Sequence, residues 1–539
     1  MRLMKTNTLE GATASRRCEF VVPLGVLLLA TLLFRLPPLL NASAASSDAM
    51  IVGLQAKHML HGELSPWLWG VRYQGTLDPL LMAAMFRLAG QSALTMMLVP
   101  LAGYLLVVGM VFDLLRRRLL PWAAALATLP IIFTPQAING VVLYAPRQWC
   151  MVLVFAAIRV LDGASSVRRP LWHYGVGAFL GTLALYVDLF ALQFLGPVGL
   201  FGLLCCTDGE AGASRAPRVR ACLVGLALGG GLLLALHLGD LEALLAAAPP
   251  SVPTAASVAP VVTPPPAAIT APVPASNLTL LLHTCLPWLL GSKVFVPGPG
   301  LYPEVWRPPA ALRIVQLGGG LLLGLGIALG PLWLLTRRVP WALQRLGVLG
   351  FVAAVTALLG FLVSSSPRDM WSARYLAPIL WMAPFALSPL AFWLGTRALA
   401  AWVLPYALVA ALGGWVSYGP YVQGARPART PEGVGRDQAQ LANVLRQHGV
   451  HYAVAQYWLS YRLTFLFDED PIVSPIDPQD DRYPPYRHGF LQAPVAAYIF
   501  HPAEPRSRVA DYEPALRAQP GTVERLEVAG FTVLIHQRR

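Results

Sequence analysis

The chain has 539 residues, of which 56% are hydrophobic and only 12% charged, with a mean hydropathy of +0.57. Soluble domains carry about 25% charged residues, so the composition excludes an ordinary soluble protein and predicts a polytopic membrane protein. The net charge of +13 does not point to nucleic acid: no RNA- or DNA-binding motif is present, and much of the Lys and Arg lies in short loops, where it sets membrane orientation.

Arg16 and Arg17 precede a long apolar run without a clear small-residue cleavage site, so the expectation is a retained first span rather than a signal peptide. A bilayer-crossing helix needs about 20 apolar residues. By that measure 20–40, 92–115, 119–135, 147–162, 172–187, 189–206, 221–238, 311–335, 341–363, 376–396 and 398–418 read as about eleven spans. Basic residues recur between alternate pairs of spans: Arg16/Arg17, Arg116/Arg117/Arg118, Arg168/Arg169, Arg215/Arg218/Arg220, Arg337/Arg338 and Arg397. Placing them all in the cytoplasm predicts an N-in protein whose segments 41–91, 239–310 and 419–539 face outward. The six cysteines (Cys18, Cys150, Cys205, Cys206, Cys222, Cys285) lie in or beside apolar runs with no CxxC or zinc-finger spacing, and read as inert helix residues.

Between the first two spans lies a polar outer loop, 41–91, that carries Asp48, Lys57, His58, His61, Glu63, Arg72 and Asp78. Ionisable residues at the mouth of a span point to function. Residues 77–90 are too short to cross and read as a helix on the outer surface ended by Gly90. Segment 249–275 is Pro/Ala-rich and reads as an extended linker. Segment 277–291 is apolar but short, and reads as re-entrant or interfacial. From Gly419 the chain turns polar, with a helix-period stretch at 437–448 and strand-like runs at 451–457, 496–501, 523–528 and 530–536. The division is therefore a transmembrane unit, 1–418, and a small α/β extracytoplasmic domain, 419–539. The aromatic stretch Tyr457–Phe465 belongs either to that domain's own core or to the headgroup layer.

Arg35 near the end of the first span, Asp48 opening the outer loop, and Gly70-Val-Arg-Tyr73-Gln-Gly75-Thr-Leu-Asp78-Pro79-Leu80 leading into the surface helix form one ordered set. It resembles the GT-C glycosyltransferases, in particular the families of the protein O-mannosyltransferases and the lipid A aminoarabinose transferase. Those enzymes open the first outer loop with an acidic motif, often Asp-Glu. Here Ala49 stands at the second acid, so the resemblance carries over only the leading Asp48. It implies a GT-C-like fold, a polyprenyl-phosphate-linked sugar donor, an extracytoplasmic acceptor (lipid, glycan or protein) and a membrane-lipid surround. It also implies Asp78 as a second site carboxylate that orients the acceptor or binds a metal. The Arg374-Tyr375 pair resembles an Arg-Tyr motif before a late span of such enzymes. The setting expected is a bacterial inner or plasma membrane.

Transfer from such a donor needs a carboxylate to take the acceptor's proton and cations or a metal to stabilise the departing phosphate. Asp48, at the membrane surface, is the candidate base; its structural alternative is a helix N-cap. Asp78, followed by Pro79, has as its alternative stabilisation of a helix N-terminus. Asp188, at the outward end of a span pair, is functional or a structural hydrogen-bond acceptor. Arg368 and Arg374 suit phosphate oxygens, with snorkelling to headgroups as the alternative. Arg147, Lys57, Arg72, Tyr73 and Tyr375 are further candidates. His58 and His61 lack a third spaced ligand, so metal binding is open: the sequence identifies no cofactor, and a divalent metal is the one candidate. The absence of Walker and GxGxxG motifs argues against nucleotide chemistry.

Two rival functions remain at this level. One is a ligase or polymerase using a polyprenyl-diphosphate donor. The other is non-enzymatic: a lipid-linked sugar transporter, which would place charge at mid-membrane in repeated halves, or an assembly subunit whose outer domain binds partners.

Overall fold

The computed structural model describes residues 9–164, 171–207, 215–246, 276–290, 294–297, 303–306, 309–334, 339–422, 431–502, 504 and 507–538. The linker read at 249–275 and the pairs Arg168/Arg169 and Arg337/Arg338 lie outside the described residues.

All eleven stretches read as spans are helical, but their lengths are uneven. Among the described residues seven helical segments are long and apolar enough to cross a bilayer: Glu19–Leu40, Ala93–Arg116, Leu189–Cys206, Ala216–Gly239, Arg313–Gly330, Trp341–Val363 and Ser388–Gly413. The expected count of about eleven is not reproduced, and the reasons are local. Stretch 119–135 becomes a helix of 12 residues, Pro121–Ile132, that unwinds at Phe133. Stretches 147–162 and 172–187 become Gln148–Ala164 and Trp172–Val187, of 17 and 16 residues. The second ends where Asp188 turns extended and caps the next turn through the Phe190 amide, at 2.8 Å. The last two expected spans divide elsewhere. Helix Ala377–Ala386 stops after 10 residues, and Ser388–Val422 runs on through a bend at Gly395, where φ is 69°.

The first four helices are α1 (Leu9–Leu40), α2 (Ser47–Leu60), α3 (Leu77–Ala89) and α4 (Ala93–Arg116), and α2 and α3 pack with the start of α4. Arg35 sits inside the bundle, its guanidinium 3.7 Å above the Tyr104 ring and 2.8 Å from the Val142 carbonyl. α2 is buried along most of its length, and Ala49, Met50, Val52 and Leu54 pack with Met82, Phe86 and Met96 of α3 and α4. α3 falls where a short helix was expected at 77–90, and Gly90 ends it at φ 83°. Segment Asn277–Leu289 is a short helix with one π turn, and a hairpin of β1 (Val294–Pro297) and β2 (Pro303–Trp306) follows.

The C-terminal domain is a three-layer α/β unit. Its strands are β3 (Tyr452–Ala455), β4 (Ile472–Pro475), β5 (Val495–Phe500), β6 (Gly521–Val528) and β7 (Phe531–Arg538), in the sheet order β4-β3-β5-β7-β6. β3 pairs in parallel with β4 and β5, and β7 runs antiparallel to β5 and β6. Ala529 and Gly530, both at positive φ, form the two-residue turn that a tight hairpin favours. Helices Pro431–Gln447 and Tyr457–Leu466 cover one face of the sheet, while Pro484–Gln492 and Val509–Arg517 cover the other.

The domain is docked on the membrane unit through helix Tyr457–Leu466, which has two apolar faces. Leu459 and Leu463 enter the domain core. Tyr457, Tyr461 and Phe465 pack instead against α2 and the outer loop. The aromatic stretch thus divides between the domain's core and the neighbouring loop.

Candidate active site

Two carboxylate centres flank the loop between α2 and α3. The first is Asp48, in the opening turn of α2, where the helix dipole favours a negative charge. Ser46, not Asp48, occupies the N-cap position, so capping is not what Asp48 does. Its carboxylate is exposed and accepts a hydrogen bond at Oδ1 from the Tyr457 hydroxyl of the outward domain. Among the described residues Oδ2 has no protein partner. Arg482 approaches from the same domain: its guanidinium lies 5.7 Å from the Tyr457 ring centre and its Nη1 is 3.4 Å from the Gly70 carbonyl. Burial works against the Arg482 charge, but Tyr457, Asp48 and Tyr73 together hold it above the usual arginine range.

The second centre lies behind the loop. Asp78, in the first turn of α3, is 1% exposed, and neither carboxylate oxygen makes a well-formed hydrogen bond. Burial and the nearby Asp188 charge push its pKa up to about 7, against the pull of the Arg147 amide and guanidinium. Asp188 is equally buried but satisfied: Gln74 Nε2 donates to Oδ2 at 2.6 Å, Arg147 Nε donates to it at 3.2 Å, and the Phe190 amide donates to Oδ1. Arg147 holds its place with a backbone φ of 116°, a region costly for a side-chain-bearing residue. Two acids therefore share one cation.

The loop between the centres explains its glycines. A Cβ at Gly70 (φ 69°) would lie 2.6 Å from the Arg482 Cα. A Cβ at Gly75 would lie 2.6 Å from the Tyr186 carbonyl, which accepts the Gly75 amide at 2.7 Å. Close backbone approach on both sides leaves room only for glycine. Tyr73, 49% exposed, lies between them on the outer face.

The remaining candidates fall elsewhere. Lys57 is buried and ion-paired to Asp468 at 2.6 Å, with its ammonium 4.5 Å over the Phe465 ring. It is a docking contact between loop and domain. His58 joins the same junction, bonded to Glu63 at 2.6 Å and Glu469 at 2.8 Å and packed against Trp69, Tyr483 and Tyr486. Arg72 is exposed on the outer loop. Arg368 and Arg374 flank or lie in the 3-10 turn Met370–Leu376; both are exposed, and Arg374 stacks on Tyr375 at 5.1 Å. Among the described residues no contact joins Arg368 or Arg374 to Asp48 or Asp78. No group of three His, Cys, Asp or Glu side chains able to hold a metal occurs among the described residues. A cation at Asp78 would find one free carboxylate and a second already paired to Arg147.

Sequence reasoning missed Tyr457 and Arg482 as site residues. Both lie far from Asp48 along the chain, in a domain whose docking no local pattern reveals.

Aligned with solved structures, the chain is similar to ArnT from Cupriavidus metallidurans bound to undecaprenyl phosphate: 12% identity, 96% of this chain and 97% of that one, TM-score 0.48. It is also similar to the oligosaccharyltransferase AglB from Archaeoglobus fulgidus in complex with an inhibitory peptide and a dolichol-phosphate: 12% identity, 89% of this chain and 69% of that one, TM-score 0.44. A structure of the Archaeoglobus fulgidus oligosaccharyltransferase with Zn and sulfate aligns at 11% identity over 88% of this chain and 67% of that one, TM-score 0.46. No protein-family model and no curated protein matches the chain.

Proposed function

We propose that the protein is a membrane glycosyltransferase that moves one sugar from a polyprenyl-phosphate donor to an acceptor on the outer side of the membrane, with Asp48 as general base. The observation that carries this reading is the exposed Asp48 carboxylate, held at one oxygen by Tyr457 with the other uncommitted, at the outer mouth of a helical bundle.

The chemistry follows from that arrangement. The acceptor's hydroxyl or amine gives its proton to Asp48 as its oxygen or nitrogen forms the new bond to the anomeric carbon. The bond from that carbon to the phosphate oxygen breaks, its electron pair leaves with the phosphate, and polyprenyl phosphate is released. Arginine forks suit that developing charge. Arg374 and Arg368 are exposed and are assigned the donor phosphate, while Arg147 is committed to Asp188 and balances the buried acids. Asp78 and Asp188 serve as the support behind the loop that carries Tyr73. Asp48, Asp78 and Asp188 lie at helix ends rather than within long apolar helices, which favours transfer over transport.

The test uses purified protein in nanodiscs with undecaprenyl-phosphate hexoses and pentoses, comparing the wild type with Asp48→Asn. Asn keeps the shape but cannot take a proton, so turnover is expected to fall by about 10²- to 10⁴-fold with donor binding intact. Equal turnover by the two proteins rejects Asp48 as the base. Donor binding without turnover by either favours the transporter or assembly-subunit reading.

A further inference from the structure

We propose that the outward domain completes the transfer site by supplying Tyr457 and Arg482 as positioning residues for Asp48. The inference rests on the reading of Asp48 as the base.

The geometry separates this role from simple docking. Docking is already secured by contacts that do not use the Asp48 carboxylate: Lys57 with Asp468 at 2.6 Å, His58 with Glu469 at 2.8 Å, Arg462 Nε on the Ser43 carbonyl at 3.0 Å, and the Ser47 hydroxyl on the Tyr457 carbonyl at 2.6 Å. One more bond to an exposed carboxylate adds little to stability. What it does is fix the carboxylate: a rotatable side chain on the first turn of α2 acquires one held oxygen and one free oxygen. A general base needs that aim before it needs anything else.

The donor is also held in its donating form. Burial, and then the charge of Asp48, push the Tyr457 phenol well above its usual range, while Arg482 pulls the other way. The phenol therefore stays protonated across the working range. Arg482 supplies the positive charge beside the pair, and the loop is shaped around it: Gly70 adopts φ 69° where any Cβ would strike the Arg482 backbone. Tyr457 bonds the Asp48 carboxylate directly, and the Arg482 charge interacts with Tyr457, Asp48 and Tyr73. Gly70 thus lets the backbone at Arg482 close on the loop, which brings the guanidinium beside the Tyr457 ring.

The decisive variants remove function and keep packing. Tyr457→Phe deletes only the hydroxyl, because the ring contacts and the Ser47 bond to the backbone carbonyl remain. Arg482→Lys keeps the charge and loses the fork. In the nanodisc assay with undecaprenyl-phosphate sugars, Tyr457→Phe is expected to lower kcat about 10-fold or more. The donor KM should stay within about twofold and the thermal midpoint should not change. Arg482→Lys should lower kcat in the same way, by less.

Wild-type kcat in both variants overturns the proposal and leaves Asp48 as base intact. Full activity of Asp48→Asn overturns the underlying reading instead, and a wild type inactive on every donor overturns both. Should Tyr457→Phe unfold, Arg482→Lys and Gly70→Ala decide: unchanged kcat in folded protein counts against the proposal, and a kcat loss at constant donor KM supports it.

Discussion

Asp78 and Asp188 are buried side by side with a single guanidinium between them, and only Asp188 is fully hydrogen-bonded. Low polarity and like charge both favour the neutral form of the unsatisfied acid, which is why Asp78 titrates near 7 rather than at its ordinary 3.8. The consequence for stability has a definite sign. Between pH 3.8 and about 7 the unfolded chain has released this proton and the folded one retains it, so stability falls as pH rises through that window. The total is on the order of a few kcal/mol. Asp78→Asn mimics the neutral acid and removes that slope. Its thermal midpoint is expected to exceed the wild type's at pH 8 and to approach it at pH 5; a difference that does not change with pH would show that Asp78 is ionised in the fold. The position of Asp78 was legible in the sequence, from the motif and from the start of α3. Its protonation was not, because that depends on an acid in another helix pair.

At the scale of elements, helix Tyr457–Leu466 joins the two parts of the molecule. Its sequence, YWLSYRLTFL, offered a choice between domain core and headgroup layer, and the fold uses one face for the core and the other for α2. Hydrophobic periodicity detects a buried face; it cannot name the surface that buries it. The same limit hid β4, four residues long, which is a strand only because β3 pairs beside it. Strands β5, β6 and β7 were visible as longer runs of 6, 8 and 8 residues, and β3, as short as β4, lay within the strand-like run 451–457. The junction that this helix seals contains a titrating group. Burial opposes the charge on His58, but Glu469 and Glu63 more than offset it, so its pKa lies above the usual 6.5. A raised histidine contributes stability that is complete below 6.5 and is lost as pH rises through the higher folded value. His58→Gln keeps a hydrogen-bonding side chain without the charge. The gap between the wild-type and His58→Gln thermal midpoints should be wide at pH 5.5 and narrow at pH 8.5; the reverse order would place a neutral imidazole at the junction.

Over the whole molecule, charge is sorted by end. Arg116, Arg117 and Arg159 gather on Asp113 at 2.6, 2.8 and 2.7 Å, and Arg118 pairs with Asp162 at 2.5 Å beside the buried Arg345. The Arg116 guanidinium also lies 4.6 Å over the Phe20 ring, which puts the start of α1 at that same end. At the other end stand Asp48, Asp78, Asp188, Arg147 and the docked domain. Loop charges predict that the basic end faces the cytoplasm, because basic residues in short loops resist translocation. The number of spans was less legible, since the helix breaks at Phe133, Asp188 and Gly395 fall within or beside apolar runs that hydropathy reads as spans. The sorting makes a strong claim about orientation that two exposed positions can test. Glu63 lies at the acidic end and Arg117 at the basic end, with side chains 46% and 37% exposed. Glu63→Cys should react with a membrane-impermeant maleimide in intact spheroplasts, above the background of the unsubstituted protein. Arg117→Cys should react only after permeabilisation. The opposite pattern would invert the protein in the membrane, putting Asp48 and the whole α/β domain in the cytoplasm, where an acceptor on the outer side could not reach them.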